Sequence, residues 1–314
     1  MPISASIEES SSANPATDAR AQSLPKSKKP WWRSLPSAGF LRDPWYCIKY
    51  ELGWIAGLAA ASGLLWASGW RGVPLEWSPW VLLLLIPGMY LVITSHLFVH
   101  NATHKSFPPA LNRLAGEFFG MIAGTRFAPW EILHRRHHLY SDHREKDPHP
   151  VQRSYWKFLI AELLNLEKNM HEQYYELWGD TPGNRRIRAV KTVLNGTAGG
   201  VLFIFWYLLM GPVLFFAVFL PASVVGVLHV SHFNWFTHNA SVSDDFRPVN
   251  NDHGIWWLGN RMFFGIYMHA NHHAYPSAFN PLNIPEDRAA KVEETLERMA
   301  AKVHGTQAQA SAST

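Results

Sequence analysis

Residues His134–Pro150 read HRRHHLYSDHREKDPHP, and this stretch decides how the rest of the chain is read. His134, His137 and His138 fall at i, i+3 and i+4. On a helix that spacing puts all three rings on one face. His137 and His138 stand about 100° apart around the axis, so each can turn toward a different metal ion. Imidazole suits iron, zinc, copper and nickel, so the spacing alone does not name the metal. A single HxxHH is also compatible with a histidine-rich surface helix. Here, related patterns return in three further places. His100-Asn101-Ala102-Thr103-His104 is an HxxxH. Asn234 and His238 form an i, i+4 pair in NWFTH. His269, His272 and His273 repeat the first spacing in HANHH.

Working outward, the chain has 314 residues, of which 47% are apolar, yet its mean hydropathy is only −0.10. Apolar blocks must therefore alternate with strongly polar ones. From Leu52 to Trp70, and again from Trp77 to His104, there is no Asp, Glu, Lys or Arg. Each block is close to the ~20 residues needed to cross a bilayer. Arg71–Glu76, with Pro74, makes a short turn between them. Thr192–Ser243 is a further 52 residues without fixed charge, long enough for two crossings broken at Gly211-Pro212. Leu111–Phe127 and Tyr155–Leu166 read instead as amphipathic helices lying against a membrane or on the domain. Arg185, Arg186, Arg188 and Lys191 stand just before the third apolar block. Pro285-Glu286-Asp287 reads as a helix start, with Val292, Leu296, Met299 and Val303 as the apolar face and Gly305 as the stop.

The ends complete the plan. Residues 1–30 are rich in Ser, Ala and Pro, read as a disordered tail, and lack a signal-peptide core. Lys26–Trp45 mixes basic residues with tryptophan, as interfacial entry segments do. The division expected is an N-terminal disordered and interfacial segment at 1–44, a membrane domain at 45–298, and a helix end with disordered tail at 299–314. The basic residues lie in the N-terminal, central and C-terminal regions, which the positive-inside rule assigns to the cytoplasm. The fold expected is all-α and integral to the membrane. Four transmembrane helices have both termini inside, and a cytoplasmic helical cap holds a dimetal site. All four histidine clusters then fall on one side, although the topology was drawn from charge and hydropathy alone.

The net charge of +4 is spread out, with no basic stripe that would suit nucleic acid. Cys47 is the only cysteine, so there is no disulfide framework. Nine histidines from the clusters can give four or five nitrogens to each of two metals. No side chain can take hydrogen from an unactivated C–H bond, whereas a redox metal can. Zinc lacks redox chemistry, and one structural zinc needs only four ligands, so iron is the better choice.

These motifs, HNATHKSF, HRRHHLYSDHREKDPH, NWFTH and HANHHAYPS, resemble the integral-membrane fatty acyl desaturases and their hydroxylase relatives in order and separation. The resemblance covers roughly residues 45–298 and is nearest to the delta-nine acyl-CoA and acyl-lipid type. It implies a diiron enzyme that uses O2 and external electrons to introduce a double bond into a fatty acyl chain. The ligands it implies are His100, His104, His134, His137, His138, His238, His269, His272 and His273, with Asn234 acting through a water. The acyl group could ride on CoA, a carrier protein or a lipid. A ferredoxin or b-type cytochrome with its reductase would supply electrons. A chain without a fused donor domain points to a bacterial inner membrane. The first box departs from the delta-nine type, which carries one more residue between its histidines. His96 makes a second HxxxH with His100, which would shift the pair by one turn, but Lys105-Ser106-Phe107 favours His100 and His104. His229 and His232 read as core or supporting residues, and His143, His149, His171, His253 and His304 as surface or supporting ones.

Two alternatives accompany this reading. The same frame serves hydroxylases, acetylenases and enzymes acting on carotenoids or sphingolipids. A membrane metal-binding or transport protein is the alternative of another class. It is disfavoured because transporters carry ionisable groups near the midplane, whereas these apolar blocks are free of fixed charge and the histidines gather at one end.

Overall fold

A computed structural model describes residues 37–238 and 246–311. The tail expected at 1–30, most of the interfacial segment, Ser243 and the last three residues lie outside them. The described chain is helical, with no strand; one antiparallel bridge pairs Asn250 with Met268. The order is α1 (Ser37–Arg42), α2 (Tyr46–Ala67), a 3-10 turn (Pro79–Leu84) leading into α3 (Leu85–Thr103), α4 (Asn112–Ile122), α5 (Phe127–Tyr140), α6 (Tyr155–Trp178) and α7 (Pro182–Met210). Then come α8 (Pro212–Leu214), a π turn (Phe215–Phe219), α9 (Leu220–Thr237), α10 (Gly254–Met262), α11 (His269–Ala274) and α12 (Ala289–Ser311).

Three helical rods are long and apolar enough to cross a bilayer: Pro79–Thr103, Pro182–Met210 and Pro212–Thr237. They bear three of the four crossings expected, and they leave large side chains such as Trp80, Ile86, Val193 and Phe216 exposed. An apolar surface of that extent belongs against lipid. The expected first crossing, Leu52–Trp70, falls on α2, which is not one of these three rods. Its first turns carry Lys49, Tyr50 and Glu51, which dilute the apolar run.

The two ends of this bundle are built differently. At one end the connection after α2 lies against the break before α8. Val73 N donates to Met210 O at 3.2 Å, and Trp70 Nε1 donates to Leu209 O at 3.0 Å. Gly72 and Gly211 meet backbone to backbone there, both at positive φ (86° and 80°); a Cβ on Gly72 would run into Gly211 Cα, so Gly72 has no room for a side chain. At the other end, Tyr50 Oη donates to Glu117 at 2.6 Å and buried Glu51 pairs with Arg126 at 2.8 Å. These contacts pin α2 to α4 and to the start of α5. All the histidine clusters lie at this second end.

Three boundaries differ from the sequence expectation. The third apolar block starts earlier, because Thr181 Oγ1 accepts from Asn184 N and Pro182 opens α7. Arg188 and Lys191 therefore lie inside the helix, each 1% exposed and paired with Glu167 at 3.2 Å, not ahead of it. Leu111–Phe127 divides into α4 and the first residue of α5. Finally, α12 continues through Gly305 to Ser311. A glycine weakens a helix by about 1 kcal/mol but stops it only where the chain turns left-handed.

Candidate metal centre

Four elements deliver the histidines. α3 ends with His100 and its C-cap His104; α5 carries His134, His137 and His138; α9 ends at its C-cap His238; α11 carries His269, His272 and His273. α11 is only six residues long and is held from behind, where Ala270 and Ala274 pack on Val292 and Leu296 of α12. The nine rings sort into two groups, in each of which one nitrogen per ring lies within 4.8 Å of all the others. One group is His100, His104, His134, His138 and His272. The other is His137, His238, His269 and His273. His137 and His138, neighbours in sequence, go to different groups, as their angular separation predicts. The groups adjoin, since the His138 and His273 ring centroids are 4.4 Å apart.

Within the first group, Nε2 of His134 is 2.7 Å from that of His104 and 3.0 Å from that of His138. His138 Nε2 is also 3.0 Å from His272 Nε2. Within the second, His269 Nε2 is 3.0 Å from His238 Nε2 and 3.2 Å from His273 Nε2. Burial, helped by the neighbouring imidazoles, holds His134, His137, His269, His272 and His273 well below their ordinary pKa. The same causes push His138 down to about 3. The rings are therefore neutral, with lone pairs available.

Two carboxylates set the direction of two rings. His137 Nδ1 donates to Asp147 Oδ1 at 2.9 Å, and His238 Nδ1 donates to Asp142 Oδ1 at 3.0 Å. That leaves each Nε2 for its group, which is the arrangement that orients metal-binding histidines and raises their basicity. The loop after α5 is built around Asp147, which also accepts from Asp142 N at 2.6 Å and His149 N at 2.9 Å. Asp142 sits at φ 64°, a left-handed position that Asp tolerates.

The residues present fit a metal. Nε2 of His100 and of His137 are buried without a hydrogen-bond partner. A buried polar atom left unpaired costs about 1–3 kcal/mol, and a metal ion would satisfy these. Burial raises Asp147 to about 7, and a cation beside His137 would draw that carboxyl back to its ionised form.

A cavity of about 230 Å³ reaches the first group from the membrane side. Ile93, Leu97, Trp130, Leu133 and Phe233 line it, together with His100 and His134. One wall is polar. Glu162 of α6 accepts from Ser231 Oγ at 2.5 Å and from His149 Nδ1 at 2.8 Å, and Asn234 Nδ2 lies 3.4 Å from it. Burial alone would lower His149; the hydrogen bond and charge of Glu162, with Asp147 and Asp142, outweigh it and raise the ring above its ordinary value.

The structure thus gathers all nine expected histidines. Asn234 lies one turn before His238, on the cavity wall. His96 stands outside both groups, with its Nδ1 3.0 Å from Val92 O. His229 pairs with the Tyr267 hydroxyl at 3.1 Å, and His232 stacks with Phe236 and Trp256. His149 is a supporting residue, its ring 4.5 Å from that of His137. Sequence reasoning missed Asp142, Asp147 and Glu162 as partners. The signal for Glu162 was a single carboxylate among Phe158, Leu159 and Leu163 on the apolar face of α6.

The fold and the site define a class: a helical membrane protein built around a buried, all-histidine centre suited to metal. The fatty acid desaturase family model matches residues 75–309, and the chain belongs to that family. It is similar to delta-9 acyl-lipid desaturase 2 of Arabidopsis thaliana, at 23% identity over 308 residues, 88% of this chain and 86% of that one. It is also similar to sn-1 stearoyl-lipid 9-desaturase of Synechocystis, at 25% identity over 178 residues, 51% of this chain and 50% of that one. No solved structure matches the chain. The protein is an integral membrane fatty acyl desaturase with a fatty acyl or lipid substrate.

Proposed function

We propose that this desaturase is a diiron enzyme that turns O2 and two external electrons into one carbon–carbon double bond. The balance is fixed: two hydrogens leave the acyl chain, two protons and two electrons enter, and O2 becomes two waters. The carrying observation is the sorting of nine buried or half-buried imidazoles into adjacent groups of five and four. His100, His104, His134, His138 and His272 would hold one iron. His137, His238, His269 and His273 would hold the other, with Asn234 acting through a water. Bound there, the irons supply the oxidising power toward an unactivated C–H bond that no side chain has.

The remaining work belongs to the chain. Asp142 and Asp147 keep the rings of His238 and His137 facing inward. The apolar cavity holds the chain beside His100 and His134 and keeps water from it, which protects the reaction from side paths. The electron donor is external, a ferredoxin or a b-type cytochrome with its reductase. Both relatives are named for position nine, and we carry that position over.

The topology proposed is four crossings, with α2 as the fourth, the histidine end and both termini in the cytoplasm, and a bacterial inner membrane as the site. Supporting it, α2 packs along α7 and is pinned at both ends of the bundle. The test is expression of the full chain, metal analysis, and mass spectrometry of lipid extracts. Two irons per chain and loss of two hydrogens at the mapped position are expected. Fewer than two irons, or a product that gains oxygen, overturns the reading.

A further inference from the structure

The cavity beside the histidines has ends of different chemistry. Its inner wall carries the polar set around Glu162, the only Asp, Glu, Lys or Arg among the described lining residues. At its outer end stand Leu163 and Leu166 of α6 and Val227 of α9, which are 52%, 41% and 42% exposed. These residues continue two larger exposed apolar surfaces. On α6 the surface runs through Trp156, Ile160 and Leu164; on α9 it runs through Val224 and Leu228. α9 belongs to a rod long and apolar enough to cross the bilayer, so this surface meets lipid. α6 and α9 are clamped together beside the opening. Tyr155 Oη donates to Leu228 O at 2.9 Å, Trp235 Nε1 to Gln152 O at 3.0 Å, and Ser231 Oγ to Glu162.

We propose that the acyl chain enters sideways from the bilayer, through a portal between α6 and α9 bounded by Leu163, Leu166 and Val227. The substrate is then an acyl chain still esterified to a membrane lipid, not one presented by a soluble thioester. The inference rests on the desaturase reading and deepens it. Its warrant is continuity. A chain already in hydrocarbon can slide past an apolar rim without meeting water, and it finds its first polar groups only at the inner wall. A carrier in the aqueous phase would need a polar, charged mouth, whereas the described rim is apolar and the described lining holds no Lys or Arg; its one ring with a raised pKa, His149, is already paired with Glu162.

The test uses the full-length, iron-loaded protein in vesicles, with an electron-donor system. One arm supplies distearoyl phosphatidylcholine with deuterated chains; the other supplies stearoyl-CoA or stearoyl carrier protein. Double bonds should form in the deuterated chain while it stays on the phospholipid, at least about tenfold faster than in either thioester. Conversion of thioester alone overturns the portal and leaves the desaturase reading standing. Conversion of neither overturns both.

A second measurement needs no turnover. Phosphatidylcholine with a photoreactive group at mid-chain should label Leu97 and Phe233 inside the cavity. Leu166→Trp with Val227→Trp should remove that labelling while the iron content stays at the native level. Absence of interior labelling in the native protein, or labelling that survives the double substitution, overturns the portal.

Discussion

Asp147 ties the loop after α5 to a ring of the centre. It accepts from the His137 ring and from two backbone amides. Asp147→Asn keeps the shape but removes the charge that faces His137. Outer partners of this kind typically contribute about 10–100-fold in metal affinity or activity. A loss of that size is expected in competition with a chelator, and an unchanged affinity would remove Asp147 from the centre. Protonation gives a second prediction, for the metal-free protein. Six rings outside the crossings (His134, His137, His138, His269, His272 and His273) have folded pKa values below their ordinary one. As pH falls through about 6.5 the unfolded chain takes up protons that these rings refuse, so stability is lost toward acid. Asp147 works the other way. Its carboxyl, raised to about 7, holds a proton in the folded state between about pH 4 and 7 that the unfolded chain has released, so it favours acid. His149, also raised, works the same way as Asp147, and the six lowered rings outweigh these two. The thermal midpoint in detergent should fall between about pH 7.5 and about pH 5.5, and a rise would contradict the neutral-ring assignment. The histidines were legible in sequence because i, i+3, i+4 spacing fixes a helix face. Their carboxylate partners were not, because His238 and Asp142 lie 96 positions apart and meet only after the helices pack.

The close approach of α3 and α9 is what brings the end of one crossing to the end of another. Gly226 permits it. A Cβ there would lie 2.6 Å from Val92 Cγ1 and 3.3 Å from His96 Cε1. Gly226→Val should therefore wedge the pair apart at a cost of about 1–3 kcal/mol, the usual range for overpacking. Gly199 on α7 is the control, since a Cβ there meets nothing within 4 Å. Gly199→Ala should be neutral or stabilise by about 0.4–1 kcal/mol. Thermal midpoints of the two variants check both, with iron content showing whether the wedge reaches the centre. Equal midpoints would mean that the α3–α9 contact is soft. At this scale the apolar runs were read well, since absence of charge is a local property. Helix starts were read less well. Arg185, Arg186, Arg188 and Lys191 were placed before the third apolar block, not within its helix, because burial of Arg188 and Lys191 depends on Glu167, on the neighbouring helix α6. The Thr181 cap and Pro182 were present in the sequence as a start signal, and the charges obscured it.

The whole molecule turns on whether α2 crosses the membrane. Its 22 residues span about 33 Å at 1.5 Å per residue, against about 30 Å of hydrocarbon. Its two ends are tied to opposite ends of the bundle, at Glu117 and Arg126 on the histidine side and, through Trp70 and Val73, at Leu209 and Met210 on the other. A helix lying along the membrane surface could not meet both sets of partners. The chain's one cysteine, Cys47, is buried, so Cys47→Ser gives a background for site-specific labelling. Single cysteines at Lys49, Glu76, Arg144 and Lys291, all exposed, divide the possibilities. With four crossings, an impermeant maleimide applied to sealed vesicles of known orientation should reach Glu76→Cys from one side. It should reach Lys49→Cys, Arg144→Cys and Lys291→Cys from the other. If α2 does not cross, Lys49→Cys labels together with Glu76→Cys. In that case the amino terminus parts company with the histidine end, and the positive-inside argument drawn from the basic residues before Leu52 fails.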